Sequence, residues 1–103
     1  MVELIVLYPQ PKDVDRFEED YDRHLEVLHE KTGIPAGEKP YTVTRFLPGP
    51  DGDPPYYQMF AMPFPSTEAL QATMASSGMQ EVAADANRIS TGGAPTILVG
   101  AAR

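Results

Sequence analysis

Residues 2–8 read VELIVLY, and this stretch decides how the rest of the chain is arranged. Both of its faces are apolar apart from Glu3, a pattern typical of a strand that is buried on two sides. Residues 56–64, YYQMFAMPF, carry a similar pattern and predict another such strand. Two further strands are predicted at residues 41–47 and 96–101, which are rich in β-branched or aromatic residues.

Helical patterns fill the intervals between these strands. Asp13 is suited to cap a first helix that runs from Val14 to about Lys31 and stops at Gly33. Its apolar stripe consists of Phe17, Tyr21, Leu25 and Leu28. Ser66 is suited to cap a second helix, which ends near residues 77–78 and is followed by a shorter helix. The apolar face of that shorter helix consists of Met79, Val82, Ala83 and Ala86.

The order β-α-β-β-α-β predicts an α+β protein with the ferredoxin-like fold, in which helices lie on one face of a four-stranded antiparallel sheet. We expect residues 1–103 to form one such domain. The helices cover only one sheet face, and an uncovered apolar face would be unusually large for a monomer. A second copy of the chain is the economical cover, so the sequence predicts a homodimer. The alternative is a monomer whose exposed face binds another protein.

Composition narrows the classes of partner. The chain carries 8 basic and 15 acidic residues, a net charge of −7, which disfavours nucleic-acid binding. No apolar stretch approaches the roughly 20 residues of a membrane-spanning helix. Cysteine is absent, which removes disulfides and thiolate chemistry. The start of the sequence lacks the pattern of a signal peptide, so a cytoplasmic location is expected.

His24 is the most informative residue for chemistry. At about 100° per residue it falls about 20° from Phe17 on the first helix, so it faces the sheet. A ring in that position is either a hydrogen-bonded core residue or a group facing an internal cavity. In the second case its imidazole is suited to transfer a proton to or from a small ligand.

Motifs for bound groups are lacking. His29 lies five positions after His24 and cannot share a metal ion with it, so it is interpreted as a helix-end or surface residue. Residues 92–93, Gly-Gly, have none of the flanking residues of a phosphate-binding loop and indicate a close backbone approach before the last strand. We therefore expect neither a metal ion nor an organic cofactor.

A ligand pocket is predicted between the helices and the sheet. Tyr8 and Tyr41, at the ends of two strands, either orient a ligand there or pack with their hydroxyls at the rim. Arg45 needs a partner, either an anionic ligand or an acid such as Asp20, Asp22 or Glu26. The other residues predicted to line the pocket are Tyr21, Phe46, Phe60, Leu70 and Met74.

Segments spread over nearly the whole chain carry a family resemblance. They are residues 5–11 (IVLYPQP), the helix with Phe17, Tyr21, His24 and Leu25, and residues 41–45 (YTVTR), 49–52 (GPDG), 54–57 (PPYY) and 91–93 (TGG). In this order they resemble EthD-type proteins, named for the bacterial degradation of ethyl tert-butyl ether. The resemblance implies a dimeric α+β barrel, in which two ferredoxin-like sheets pack face to face.

The resemblance also has implications for activity. Relatives in the wider superfamily include cofactor-free monooxygenases, polyketide cyclases, muconolactone isomerases and decarboxylases, which tend to bind a small ligand between helices and sheet. Several use a histidine on the first helix, the position that His24 matches. Tyr41 matches an aromatic position that some isomerase-like relatives place in the pocket. The implied enzyme needs no metal or organic cofactor.

Three functions remain open from the residues alone. The first is lyase, isomerase or monooxygenase chemistry on a small apolar or aromatic metabolite, with His24 as the proton shuttle. The second is a non-catalytic carrier or accessory protein of a catabolic pathway. The third is an interaction dimer without a pocket, which a cavity under about 100 Å³ would favour.

Overall fold

The computed structural model describes residues 1–103. Its four strands are β1 (Val2–Pro9), β2 (Thr42–Arg45), β3 (Tyr56–Phe64) and β4 (Thr96–Ala101). Its three helices are α1 (Val14–Thr32), α2 (Thr67–Ala75) and α3 (Ser77–Ile89). None of these helices combines the length and the apolar character needed to cross a membrane.

The strands form one antiparallel sheet in the order β2-β3-β1-β4. Strand β1 lies inside the sheet, where Leu4 pairs with Met62 of β3 and with Val99 of β4. This topology confirms the predicted α+β, ferredoxin-like fold. The strand formed by residues 2–8, β1, is one of the two inner strands of the sheet.

The two faces of the sheet differ in what covers them. Side chains alternate along β1, and Leu4 and Tyr8 are buried beneath the helices. The helices contribute Leu28, Leu70, Met79 and Val82 to the same core. The opposite face, here named the open face, has an apolar centre formed by Ile5, Leu7, Met59, Ala61 and Leu98. The predicted two-sided apolar character of the central strands is therefore confirmed.

The predicted start and end of α1 and the predicted start of α2 are confirmed by their caps, whereas α2 ends at Ala75 and not near residues 77–78. The Asp13 carboxylate accepts a hydrogen bond of 3.1 Å from the backbone N–H of Arg16, and Gly33 ends α1 in the left-handed conformation with φ of 76°. Ser66 caps α2 in the same way as Asp13 caps α1. Ser76 separates α2 from α3, and its hydroxyl accepts from the N–H of Met79 at 3.2 Å.

Two predicted element lengths were wrong. Helix α3 has 13 residues and α2 has 9, so the last helix is longer than the one before it. Its buried stripe continues past Ala86 to Ile89, which keeps the added turn attached to the core. Strand β2 spans Thr42–Arg45 and not residues 41–47, because regular pairing stops where β3 becomes irregular.

That irregularity is a shift of register between β1 and β3. Tyr8 pairs with Gln58 and Pro9 pairs with Tyr56, so Tyr57 has no opposite residue. The bulge directs the Tyr57 ring toward α1, where its centroid lies 5.6 Å from that of Phe17. The sheet thereby gains an aromatic contact with the first helix that strict alternation would have placed on the open face.

The close approach predicted at residues 92–93 is also confirmed. A β-carbon at Gly92 would overlap the backbone oxygen of Gln10, so only glycine fits between the end of β1 and the start of the last connection. The backbone N–H of Lys12 donates to the Thr91 hydroxyl at 3.0 Å and holds the two segments together.

Candidate functional site

A small apolar cavity lies between the helices and strands β1, β3 and β4. Its volume is about 40 Å³, and eleven of its twelve lining residues are hydrophobic. On the β4 side the wall is Ile97, which is 46% exposed, so the cavity reaches the surface beside this strand. Besides Tyr8 and His24, the wall consists of Leu4, Val6, Leu28, Phe60, Met74, Met79, Val82, Ala83, Ala86 and Ile97.

His24 provides the cavity with an imidazole ring. Its position in the apolar stripe of α1 turns the side chain inward, and only 6% of that side chain is exposed. Its Nδ1 lies 2.8 Å from Oδ2 of Asp85 on α3, while its Nε2 has no hydrogen-bond partner in the protein. The fully enclosed polar atoms without partners are the Tyr21 hydroxyl and the Gln58 amide nitrogen. Nε2 of His24 is thus not sealed by packing.

Asp85 is itself held in place. Arg88, one turn later on α3, donates to Asp85 Oδ1 from Nε at 3.0 Å and from Nη2 at 2.7 Å. Each carboxylate oxygen therefore has its own partner, Oδ1 the guanidinium and Oδ2 the imidazole. The Asp85 side chain is 16% exposed, whereas that of Arg88 is 59% exposed. The Asp85–Arg88 ion pair therefore connects His24, in the cavity wall, with the protein surface.

Burial and charge shift the proton affinities of this group. Burial lowers the pKa of His24, and Arg88 adds to that effect, while the hydrogen bond and charge of Asp85 oppose it. Burial acts to raise the pKa of Asp85, but the hydrogen bonds from His24 and Arg88 outweigh it and lower that pKa. The favoured state is a neutral imidazole beside an ionised carboxylate.

Tyr8 is the other residue of the cavity wall that carries a polar group. It lies near the end of β1 and is fully buried, with its ring packed edge-on against those of Phe17 and Tyr21 at 5.4 and 5.5 Å. Burial, and then the charge of Asp85, raise the pKa of the Tyr8 phenol, so it stays protonated. A protonated hydroxyl can donate a hydrogen bond to a ligand.

The cavity brings together four of the nine predicted site residues, namely Tyr8, His24, Phe60 and Met74. Tyr21 stacks on Phe17 beside His24, with its ring 5.6 Å from the imidazole, but does not reach the cavity. Leu70 is buried in the hydrophobic core. Neither Tyr21 nor Leu70 lines the cavity, because both side chains are packed against other core residues.

Tyr41 was predicted to share a cavity with Tyr8, and the structure separates the two. The Tyr41 hydroxyl lies 2.7 Å from Nε2 of His29, and the Tyr41 ring packs against Phe60. His29 is half-buried and bonded on both sides, since its Nδ1 also lies 3.2 Å from the carbonyl oxygen of Pro35. It lies in the last turn of α1, as its interpretation as a helix-end or surface residue allowed, and the loop after α1 folds back over it.

Arg45 and Phe46 also lie away from the cavity. Arg45 forms the predicted salt bridge, but its partner is Glu18 and not Asp20, Asp22 or Glu26, with Nε 2.9 Å from Oε1. Glu18 is the acid that α1 places over the end of β2. Phe46 follows the last residue of β2, is half-buried and does not line the cavity.

Sequence reasoning missed Asp85 and Arg88. Asp85 lies three residues after Val82, at the flank of the apolar stripe of α3. Asp85 beside the apolar stripe of α3 and His24 within that of α1 could have indicated a pair. That signal can be used only when α1 and α3 are known to pack together. The structure groups no three His, Asp or Glu side chains that could hold a metal ion.

No protein-family model matches the sequence. No curated protein matches it either. A solved structure of an EthD family protein from Bacillus halodurans C-125 is 31% identical, with a TM-score of 0.83 over 100% of this chain and 99% of its own.

More distant structures share the fold. A dimeric ferredoxin-like protein of unknown function from Jannaschia sp. CCS1 is 15% identical, with a TM-score of 0.65 over 98% of this chain and 97% of its own. An antibiotic biosynthesis monooxygenase is 19% identical, with a TM-score of 0.57 over 100% and 99%. Identity and coverage with the Bacillus protein extend the likeness from the fold to the sequence, and this chain belongs to the EthD family.

Proposed function

We propose that this EthD protein moves a proton on a small, uncharged, largely apolar molecule bound in the cavity beside His24. The observation that carries the proposal is the two-sided state of the His24 ring. One nitrogen is held by Asp85 and the other has no protein partner, while the residue lines a cavity that is otherwise almost entirely apolar. A titratable group with a shifted pKa in an apolar cavity is a recurrent feature of catalytic sites.

The proposed step needs only groups of this chain. Nε2 of neutral His24 takes a proton from an O–H group or from a C–H group next to a carbonyl of the ligand, and the imidazolium is paired with Asp85. The Tyr8 hydroxyl donates a hydrogen bond to the ligand oxygen on which negative charge develops. Return of the proton to another atom of the same ligand completes an isomerisation without an outside reactant.

The size of the cavity limits the ligand. A volume of about 40 Å³ holds a few atoms, so the site in this conformation accepts only a small molecule or part of a larger one. Met74 and Met79 line the wall, and methionine side chains rearrange more easily than branched ones. Their movement is the proposed way to admit a larger ligand, entering beside the exposed Ile97.

The comparisons support a role with small molecules. The fold is shared with a protein named as an antibiotic biosynthesis monooxygenase, whose name refers to the making of small molecules. That likeness supports the class of function only. The residues proposed to act in this chain, His24 and Tyr8, are argued from their own geometry.

The test uses a simple reporter of proton removal. Butanone has acidic C–H groups next to its carbonyl, and their exchange for deuterium in D₂O is followed by proton NMR. We expect the protein to accelerate this exchange, and His24→Gln to reduce the acceleration by about 100-fold, the lower range for a general base. Tyr8→Phe should lower it less, because only a hydrogen bond to the developing charge is lost.

His29→Gln is the matched control, since it removes the other histidine without touching the cavity. Equal exchange rates in the wild type, His24→Gln and His29→Gln would contradict the proposal. Binding of butanone and similar ligands without exchange, seen as shifts of backbone NMR signals near Ile97, would instead favour a carrier.

One observation favours a second candidate. The cavity is smaller than the roughly 100 Å³ below which an interaction dimer becomes the better interpretation. In that case the His24–Asp85 pair would serve only to join α1 to α3. Absence of both exchange and ligand binding, together with a stable dimer, would support this function.

For the assembly we propose a homodimer built on the open face. The apolar centre formed by Ile5, Leu7, Met59, Ala61 and Leu98 is the support from this chain. The Jannaschia protein with the same fold is described as dimeric, which gives independent support. A closed two-fold pair would cover both apolar faces at once.

A further inference from the structure

The hydrogen bond between His24 and Asp85 determines where the imidazole proton lies. An ionised carboxylate can only accept a hydrogen bond, so the Nδ1 atom, 2.8 Å from Oδ2, must carry the proton. In a neutral ring the remaining nitrogen, Nε2, then bears a lone pair. The nitrogen without a protein partner is therefore a hydrogen-bond acceptor.

The position of Asp85 is fixed in turn by Arg88. Two donors of the guanidinium, at 3.0 and 2.7 Å, converge on Oδ1 and leave Oδ2 for the imidazole. Both residues lie on α3, whereas His24 lies on α1, so the orientation of the ring is set from a different helix. Ring orientation of this kind is commonly set by a carboxylate on the far nitrogen.

We propose that Asp85, held by Arg88, is a positioning residue that keeps His24 in the Nδ1–H form and presents Nε2 to the cavity as a base. The part of this proposal in which Nε2 acts as a base rests on the proposed function. The tautomer itself can be measured without any ligand.

The proposal also restricts the class of ligand. A lone pair at Nε2 suits a ligand that donates a hydrogen bond or a proton to it, such as a phenol, an enol or a compound with a C–H group next to a carbonyl. No Lys or Arg side chain lines the cavity, and the Asp85 carboxylate lies beside it, so an anionic ligand finds no counter-charge there. The site is suited to a neutral hydrogen-bond donor and not to a carboxylate.

Charged and titratable groups around the ring come from three elements. Asp85 and Arg88 face it from α3, Tyr21 adjoins it on α1, and Tyr8 lies across the cavity on β1. The charge of Asp20 on α1 also acts on Arg88. Removal of Asp85 takes away the partner that stabilises the imidazolium, whereas removal of Arg88 takes away a cation that opposes it.

The experiment is long-range ¹H–¹⁵N NMR on protein labelled with ¹⁵N-histidine. The chain has two histidines, and His29→Gln assigns their signals. In the wild type at about pH 7.5 we expect the His24 pattern of the Nδ1–H form, the neutral state being favoured above the usual histidine pKa of about 6.5. In Asp85→Ala we expect the pattern to change to Nε2–H or to a mixture, with a lower His24 pKa.

Glu81→Ala is the matched control, because it removes an acid from the same helix that pairs with Lys31 and not with His24. It should leave both the tautomer and the pKa of His24 unchanged. Arg88→Gln changes an exposed side chain, so the fold is retained even where Asp85→Ala unfolds. It should keep the Nδ1–H form and raise the His24 pKa.

Two results would overturn the proposal. One is an Nε2–H pattern in the wild type, and the other is an unchanged tautomer in folded Asp85→Ala. If the tautomer responds as expected but butanone exchange is absent, the proposed function fails while the role of Asp85 stands. A merely structural pair would leave butanone exchange unchanged in folded Asp85→Ala, whereas loss of a positioning residue should lower it.

Discussion

Burial and the neighbouring Asp85 shift the pKa of the His24 imidazole in opposite directions. Burial disfavours the charged form and dominates, so the pKa of the folded state lies below the usual value of about 6.5. The Asp85 carboxylate limits that decrease. A base whose pKa is depressed in this way is neutral near pH 7 and can accept a proton without first losing one.

The same shift predicts how stability depends on pH. Between about pH 6.5 and the lower pKa of folded His24, the unfolded chain binds a proton at this position and the folded chain does not. Stability is therefore present above pH 6.5 and declines as pH falls through this window, by up to about 1.4 kcal/mol for each unit that separates the two pKa values. Urea unfolding at about pH 7.5 and pH 5.5 measures the change.

The variant His24→Gln should remove this part of the pH dependence, whereas His29→Gln should retain it. Asp85 does not obscure the result. Its folded pKa is lowered, so the stability it contributes is lost only as pH falls below about 4, outside the measured range. A His24→Gln profile parallel to that of the wild type would count against a buried, neutral His24.

At the scale of elements, helix α3 crosses the end of α1 at a glycine. A β-carbon at Gly78 would overlap the backbone carbonyl oxygen of Lys31, so the first turn of α3 can approach α1 only without a side chain. This crossing sets the packing of α3 against α1, and with it the approach of Asp85 to His24.

We expect Gly78→Ala to destabilise the protein by about 1–3 kcal/mol, as overpacking typically does. At an unobstructed helical position the same change would stabilise by about 1 kcal/mol, so the sign of the effect is diagnostic. Gly37→Ala is the matched control, because nothing lies near its β-carbon position, and it should be neutral or slightly stabilising. Urea unfolding compares the two, and a stabilised Gly78→Ala variant would refute the close crossing.

Most elements were predictable because their signals are local. The stripe of Phe17, Tyr21 and Leu28 predicted α1, and Asp13 and Gly33 marked its ends. The inward direction of His24 followed from the same periodicity. The end of β2 was not predictable, because it depends on the skipped residue Tyr57 in the neighbouring strand. Local propensity contains no information on a bulge that pairing between distant segments creates.

The candidate site was predictable in part for the same reason. His24 and Tyr8 each face inward on their own elements, and the fold brings both to one cavity. Tyr41 is buried but bonds to His29 away from the cavity, and the exposed Arg45 pairs with Glu18. Asp85 is 61 residues from His24, and only the packing of α3 on α1 makes them neighbours.

At the scale of the whole molecule, the open face is the surface on which we propose that two chains pair. Ile5 lies at its centre, between Ala61 and Leu98 in the register of the sheet. We expect the wild type to sediment with twice the 11.3 kDa mass of one chain. Ile5→Asp should produce a folded monomer, because a charge at the centre of an apolar interface is left without a partner.

Val14→Asp is the control for this prediction. Val14 is also an exposed apolar residue, but it lies at the first turn of α1, where an acid is compatible with the helix dipole. It should leave the dimer intact. A wild type that sediments at 11.3 kDa over a range of concentrations would exclude the proposed assembly.

Strand β4 has one further consequence, which concerns the handling and survival of the protein. It is an edge strand, and residues 96–101, TILVGA, contain neither a charge nor a proline that would deter pairing with a foreign strand. Mutual repulsion between chains of net charge −7 is then a safeguard against aggregation through this edge. That repulsion disappears near the isoelectric point of about 4.6. Acidification toward this pH should therefore favour precipitation through pairing of β4 edges.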